Sequence, residues 1–190
     1  MGNTLTLNRD LTGSKSVSAV IGVVFFVLAT AFGAYVRIPL PGTPIPMTLQ
    51  TLFVALSGAV LGKKLGLISQ ASYIFIGAIG LPVFQGYGSG VAYMFGPTGG
   101  YLIGFAAASY LTGRLLDKET PGPYRIAISF IAGIAVLYGF GITWLMALYR
   151  ISLLNAVTIG FLPFLTAEAV KIFAAVLIYR AVAGRSKNIF

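Results

Sequence analysis

The sequence predicts an all-α integral membrane protein, a single domain over residues 1–190 with six transmembrane helices and long, ordered outer loops. Three observations predict it. First, 57% of the 190 residues are hydrophobic and only 9% are charged, against roughly a quarter charged in a soluble domain. Second, mean hydropathy is +0.92, and several runs reach the ~17–25 apolar residues that a bilayer-spanning helix needs. Third, the basic residues fall unevenly along the chain, in the pattern of an even number of crossings. A transmembrane barrel would show short alternating segments instead.

The first span is read at 17–36. It is longer than a signal-peptide core and no small-residue cleavage site follows, so it reads as a retained helix behind a flexible cytoplasmic N-terminus, 1–13. The second and third spans, 48–62 and 65–81, are short and meet at GKKLG. The fourth, 98–116, is entered through Gly96, Gly100 and Gly104; small residues four apart let helix backbones approach closely in lipid. The fifth covers 124–148. The sixth, 161–183, opens near Pro163, a residue suited to a first helical turn.

With six spans, both termini share a side with Arg9, Lys15, Lys63, Lys64, Arg114, Lys118, Arg125, Arg180, Arg185 and Lys187. Only Arg37 and Arg150 fall opposite, and Lys171 lies inside a span. The positive-inside rule then puts both termini in the cytoplasm. It also accounts for the net charge of +9 without nucleic acid as a partner. The loops differ by side. The cytoplasmic ones are short and charged. The outer ones are long and nearly neutral: one carries Pro39, Pro41, Pro44 and Pro46, another is QGYGSG with its aromatic neighbours. Proline stiffens a loop by fixing φ, and such loops suit a lid over a site.

The chain has no Cys and no His. That excludes disulfides, Cys/His metal sites and His-based triads. No Gly-rich phosphate loop of the G-x-x-x-x-G-K-[ST] type occurs, and no cofactor is expected. With no nucleophile–base pair in view, an enzyme is not the reading.

Within GFLPFLTAEAVKIFAAVLIYR, Glu168 and Lys171 share one helix face. A charge near the bilayer centre costs at least ~2.5–3.5 kcal/mol, so an intramembrane ionisable residue is a functional candidate. The alternative is mutual neutralisation within an i,i+3 pair. The pair lies below the outer surface at the positive end of the helix dipole, where a Lys suits a carboxylate ligand and a Glu accepts N–H donors. Thr48 and Gln50 open the second span at the same level, and Phe84, Tyr87, Tyr93 and Phe95 stand in the loops to close over an apolar ligand body. The picture is a small amphiphilic acid bound from outside. Ser14, Ser18 and Gly22, four apart on the first span, either pack inside the fold or dock another membrane protein.

The runs VRIPLPGTPIPMTLQTLFVALSGAVLGKKLG, IGAIGLPVF and GPTGGYLIGF, then LPF followed by an acidic residue and Lys, occur in this order over residues 36–175. In combination they resemble the BioY family, the biotin-binding S components of energy-coupling factor transporters. The resemblance implies the S-component fold, high-affinity biotin uptake, and work alongside a transmembrane coupling protein and cytoplasmic ATPases in a prokaryotic plasma membrane. It implies that Glu168 accepts from ureido N–H groups, that Lys171 meets either the ring carbonyl or the carboxylate, and that Gln50 orients the ring. It assigns Ser14, Ser18 and Gly22 to the coupling-protein interface.

Two departures matter. The family's usual Asp is Glu168 here, one methylene longer. The loop Arg that meets the ligand carboxylate in relatives is absent, with Gly88 in its place. The carboxylate then falls to Lys171, a backbone amide or water, or the ligand is a related acid such as lipoate. A stand-alone transporter with Glu168 carrying a proton is the alternative from another class.

Overall fold

The computed structural model describes residues 2–117 and 121–189, with side chains described for 15–117 and 121–184. Its elements run α1 (Gly2–Tyr35), β1 (Arg37–Ile38), β2 (Met47–Thr48), α2 (Gln50–Ala78), α3 (Val91–Met94), α4 (Gly99–Leu115), α5 (Pro123–Tyr149), α6 (Leu153–Gly160) and α7 (Leu165–Ile189). Six segments form the membrane body: α1, the two arms of α2, α4, α5 and α7.

α2 is where the chain departs from a simple helix. Gly62 is non-helical, at φ 79° and ψ 173°, a conformation essentially reserved for glycine. The chain doubles back there. A Cβ on Gly66 would lie 2.7 Å from the Gly58 Cα, although these residues are eight apart and a straight helix would separate them by about 12 Å. The expected spans 48–62 and 65–81 are thus the two arms of a hairpin, ending three residues earlier than expected at Ala78. Neighbours shield the short first arm: Val54, Ala55, Leu56, Ser57, Gly58 and Ala59 are all buried.

Close backbone contact fixes the other helices. A Cβ on Gly58 would lie 1.9 Å from the Ser109 carbonyl oxygen of α4. Gly100 and Gly104 do the same for α4 against α5, where a Cβ would lie 2.2 Å from Trp144 Cβ and 2.9 Å from the Leu137 oxygen. The four-residue glycine spacing therefore packs inside the fold, as its period predicts. Burial follows membrane logic. Val20, Ile21, Val24, Phe25 and Leu28 of α1 face outward, as do Val170, Phe173 and Leu177 of α7. Polar groups face inward: Gln70 Nε2 donates to Ser57 Oγ at 3.1 Å and Thr30 Oγ1 at 3.3 Å, and the Ser57 and Ser109 hydroxyls share a 2.8 Å bond. That cluster ties α1, both arms of α2, and α4 together.

The loops at the site end are built, not slack. β1 and β2 pair antiparallel with Arg37 opposite Thr48, closing the proline-rich loop as a hairpin. Tyr35 Oη donates to the Pro82 oxygen at 2.6 Å, and Gly90 N to the Gly77 oxygen at 2.7 Å. The third connection at this end holds α6, whose Leu153 and Leu154 are exposed. A single 3-10 turn, Leu162–Phe164, takes up Pro163, so α7 begins at Leu165. At the opposite end, Lys63 pairs with Asp117, and a Cβ on Gly113 would lie 2.5 Å from Lys63 N.

Candidate functional site

The site grows from two residues of α7. Glu168 and Lys171 are one turn apart and only 3% and 8% exposed. Their ion pair is one part of a fixed network. Lys171 Nζ donates to the Thr48 carbonyl at 3.0 Å, to Thr51 Oγ1 at 2.6 Å and to Glu168 Oε1. An ammonium has three protons, so all are engaged. Glu168 Oε1 also accepts from Thr51 Oγ1 at 3.0 Å and Tyr138 Oη at 3.1 Å. Glu168 Oε2 is buried and has no partner. A buried polar atom left unsatisfied costs roughly 1–3 kcal/mol, more when charged. The carboxylate is therefore half committed to the protein and half open to an N–H donor.

A cavity opens beside the pair. Hairpin residues Pro46, Met47 and Thr48 line one side, and Gln85, Tyr93 and Thr98 of the second outer loop line another. Tyr101, Leu102, Phe105, Leu137 and Phe164 give it apolar walls, and Gln50, Thr51, Tyr138, Glu168 and Lys171 give it a polar end. This pattern of apolar walls with a few converging polar groups is that of a small-molecule site. Gln50 Nε2 donates to Tyr73 Oη at 2.8 Å, and Tyr73 Oη donates to the Val83 oxygen at 2.9 Å. One of Gln50's two amide protons is thereby spent and one is left. Burial pushes the pKa of the Tyr93 hydroxyl above the ordinary tyrosine value, which keeps it a neutral donor; it reaches the Gln85 oxygen at 3.4 Å.

The structure brings together Glu168, Lys171, Gln50 and Tyr93, all expected from the sequence. It separates Phe84 and Gly88 from the cavity wall. Phe84 is fully buried behind Tyr93, stacked on that ring at 5.0 Å and pressed on Gly77, where a Cβ would meet its ring at 2.1 Å. Its place is to anchor the loop. Gly88 lies under the Tyr93 ring, 2.2 Å from where its own Cβ would be, and its carbonyl accepts from Phe84 N at 3.0 Å. Thr51 and Tyr138 were missed. Thr51 had a signal, since it falls one turn after Thr48 on the helix that carries Gln50. Tyr138 had none beyond being a hydroxyl within an apolar span. On α1, Gly22 is buried within the chain and Ser18 half-buried; the side chain of Ser14 lies outside the described residues.

Comparison with known proteins gives one family. The family model described as "BioY family" matches residues 6–188. "Biotin transporter BioY" of Thermotoga maritima is 39% identical over 153 residues, which are 80% of this chain and 88% of that protein. "Probable biotin transporter BioY" of Pyrococcus horikoshii is 38% identical over 164 residues, 86% of this chain and 95% of that protein. Among solved structures, the S-component for biotin from an ECF-type ABC transporter superposes with a TM-score of 0.84 at 27% identity, covering 90% of this chain and 93% of that one. The fold is the S-component fold.

Proposed function

The chain belongs to the BioY family, and from that premise we propose that it is the biotin-binding membrane subunit of an ATP-driven vitamin importer. The observation that carries this reading is the unpartnered oxygen Oε2 of Glu168, a residue at the polar end of the cavity. A ureido ring offers N–H groups to that oxygen and a carbonyl to the spare Gln50 proton. The fused sulfur ring suits the walls of Tyr101, Phe105, Leu137 and Phe164. Lys171 acts mainly through Glu168 and Thr51, since its three protons are already placed. Lipoate has no ureido N–H to satisfy Oε2, so the same atom favours biotin over that acid.

The chain carries no phosphate-binding loop, so ATP hydrolysis belongs to partner chains, with a transmembrane coupling protein between them and this subunit. It is not an enzyme in this reading. Both termini face the cytoplasm of a prokaryotic cell. The site then opens outward, beneath the loops. Ser14, Ser18 and Gly22 remain the candidates for docking on α1.

The test is calorimetric titration of the purified chain with biotin and with lipoate, alongside Glu168→Gln and Lys171→Ala. Biotin should bind tightly, lipoate should not, and both variants should lose biotin. Equal binding of the two acids, or undiminished biotin affinity in Glu168→Gln, would overturn the proposal.

A further inference from the structure

Arg37, one of the two arginines at the site end, has no anion among the described residues. Arg37 starts β1 opposite Thr48, the residue whose carbonyl holds Lys171. Its guanidinium leans across the second outer loop, where Nη1 donates to Gln85 Oε1 at 3.4 Å. It rests on the bare face of Gly86, at φ 69°, where a Cβ would stand 2.6 Å from Nη1. Any larger residue there would push the guanidinium away, so the glycine both turns the loop and seats the arginine. Gln85 and Tyr93 line the cavity. The Arg37 charge also acts on the Tyr93 hydroxyl, against the effect of burial. Arg37 is thus at the cavity rim.

A guanidinium has five N–H donors in a fork that matches a carboxylate. Here it makes one long bond to a neutral amide. Among residues with described side chains the carboxylates are Asp117 and Glu168, and each is paired with a lysine. Inside the cavity, Lys171 has no proton left for a second acid. An acidic ligand whose N–H-bearing head sits on Glu168 must place its carboxylate elsewhere, and the rim holds Arg37, a cation with no acid beside it among the described residues.

We infer that Arg37 reads the carboxylate of the ligand, supplying from β1 the charge that the loop QGYGSG lacks. This rests on the function proposed above. Gln85 then passes from arginine partner to rim group, and the carboxylate takes the forked side of the guanidinium.

The test compares biotin with biotin methyl ester, which keeps the ring system and removes the charge. Calorimetry on the purified wild-type chain, Arg37→Gln and Arg37→Lys provides the readout. The wild type should prefer the acid about tenfold or more, the range of one charge-assisted hydrogen bond. Arg37→Gln should erase that preference by weakening the acid alone, and Arg37→Lys should restore part of it. The preference should shrink as salt rises, because the rim is exposed. Equal loss of acid and ester in Arg37→Gln would reduce Arg37 to a structural residue and overturn the inference. Tight biotin binding with no acid–ester preference in the wild type would overturn it while leaving the proposed function intact. Binding of neither ligand by the wild type would overturn both.

Discussion

Lys171 and Glu168 complete each other unequally: the lysine spends all three protons, while the glutamate loads one oxygen with three donors and leaves the other bare. The pair is thus more than a neutralised charge. Its lysine is structural and its glutamate is poised.

Replacing Lys171 with Met should expose this asymmetry as instability. Removing one partner of a buried ion pair costs about 3–5 kcal/mol, because the other charge stays behind. The melting temperature in detergent should fall for Lys171→Met, and adding Glu168→Gln should recover most of the loss. A double variant no more stable than the single one would place the lysine's role elsewhere.

Tyr138→Phe should act on binding as well as on folding. Its ring packs edge-on against Tyr101 and Phe161 at 5.7 and 5.1 Å, and those contacts survive loss of the hydroxyl. The carboxylate loses one donor, a bond worth roughly 1.5–3 kcal/mol to a charged acceptor. That bond exists without ligand, so the melting temperature should fall by a few degrees, and biotin affinity should fall as well because the carboxylate is less firmly oriented.

Two glycines of α2 separate backbone strain from collision. At Gly62 no atom lies within 4 Å of an added Cβ, so Gly62→Ala meets only the forbidden φ, a penalty of about 1–3 kcal/mol. At Gly58 the added Cβ meets the Ser109 oxygen at 1.9 Å, and α2 must part from α4. Thermal melts should rank Gly58→Ala well below Gly62→Ala, with both below wild type.

Tyr73→Phe should loosen the loop before it touches the spans. It strands one Gln50 proton and the Val83 carbonyl, which Tyr73 now bridges. Hydrogen–deuterium exchange should quicken over residues 79–90, while α4 and α5 stay protected. Uniform exchange across the chain would argue for global destabilisation instead.

Composition and charge made the membrane body legible, because lipid demands long apolar runs and the cytoplasmic face collects cations. Glu168 and Lys171 stood out for the same reason: the other charges within spans, Arg114, Arg125 and Arg180, sit near span ends. Gln50 followed from its level in the membrane, and Tyr93 from being one of the loop aromatics. Phe84 looked like a ligand contact because loop aromatics commonly are, yet burial against Gly77 depends on a tertiary approach that spacing does not encode. The hairpin at Gly62 was visible only as two short spans, and its single-residue reversal is a matter of one φ angle.

That reversal has a mechanical consequence. The two arms of α2 are joined at the far end by Gly62, pinned midway by Gly58 on Gly66 and Gln70 on Ser57, and latched beside the cavity by Gln50 on Tyr73. A frame closed at both ends cannot scissor. Displacement applied at the Lys63 tip is therefore not absorbed along the way; it arrives at the ligand as a tilt of the whole frame.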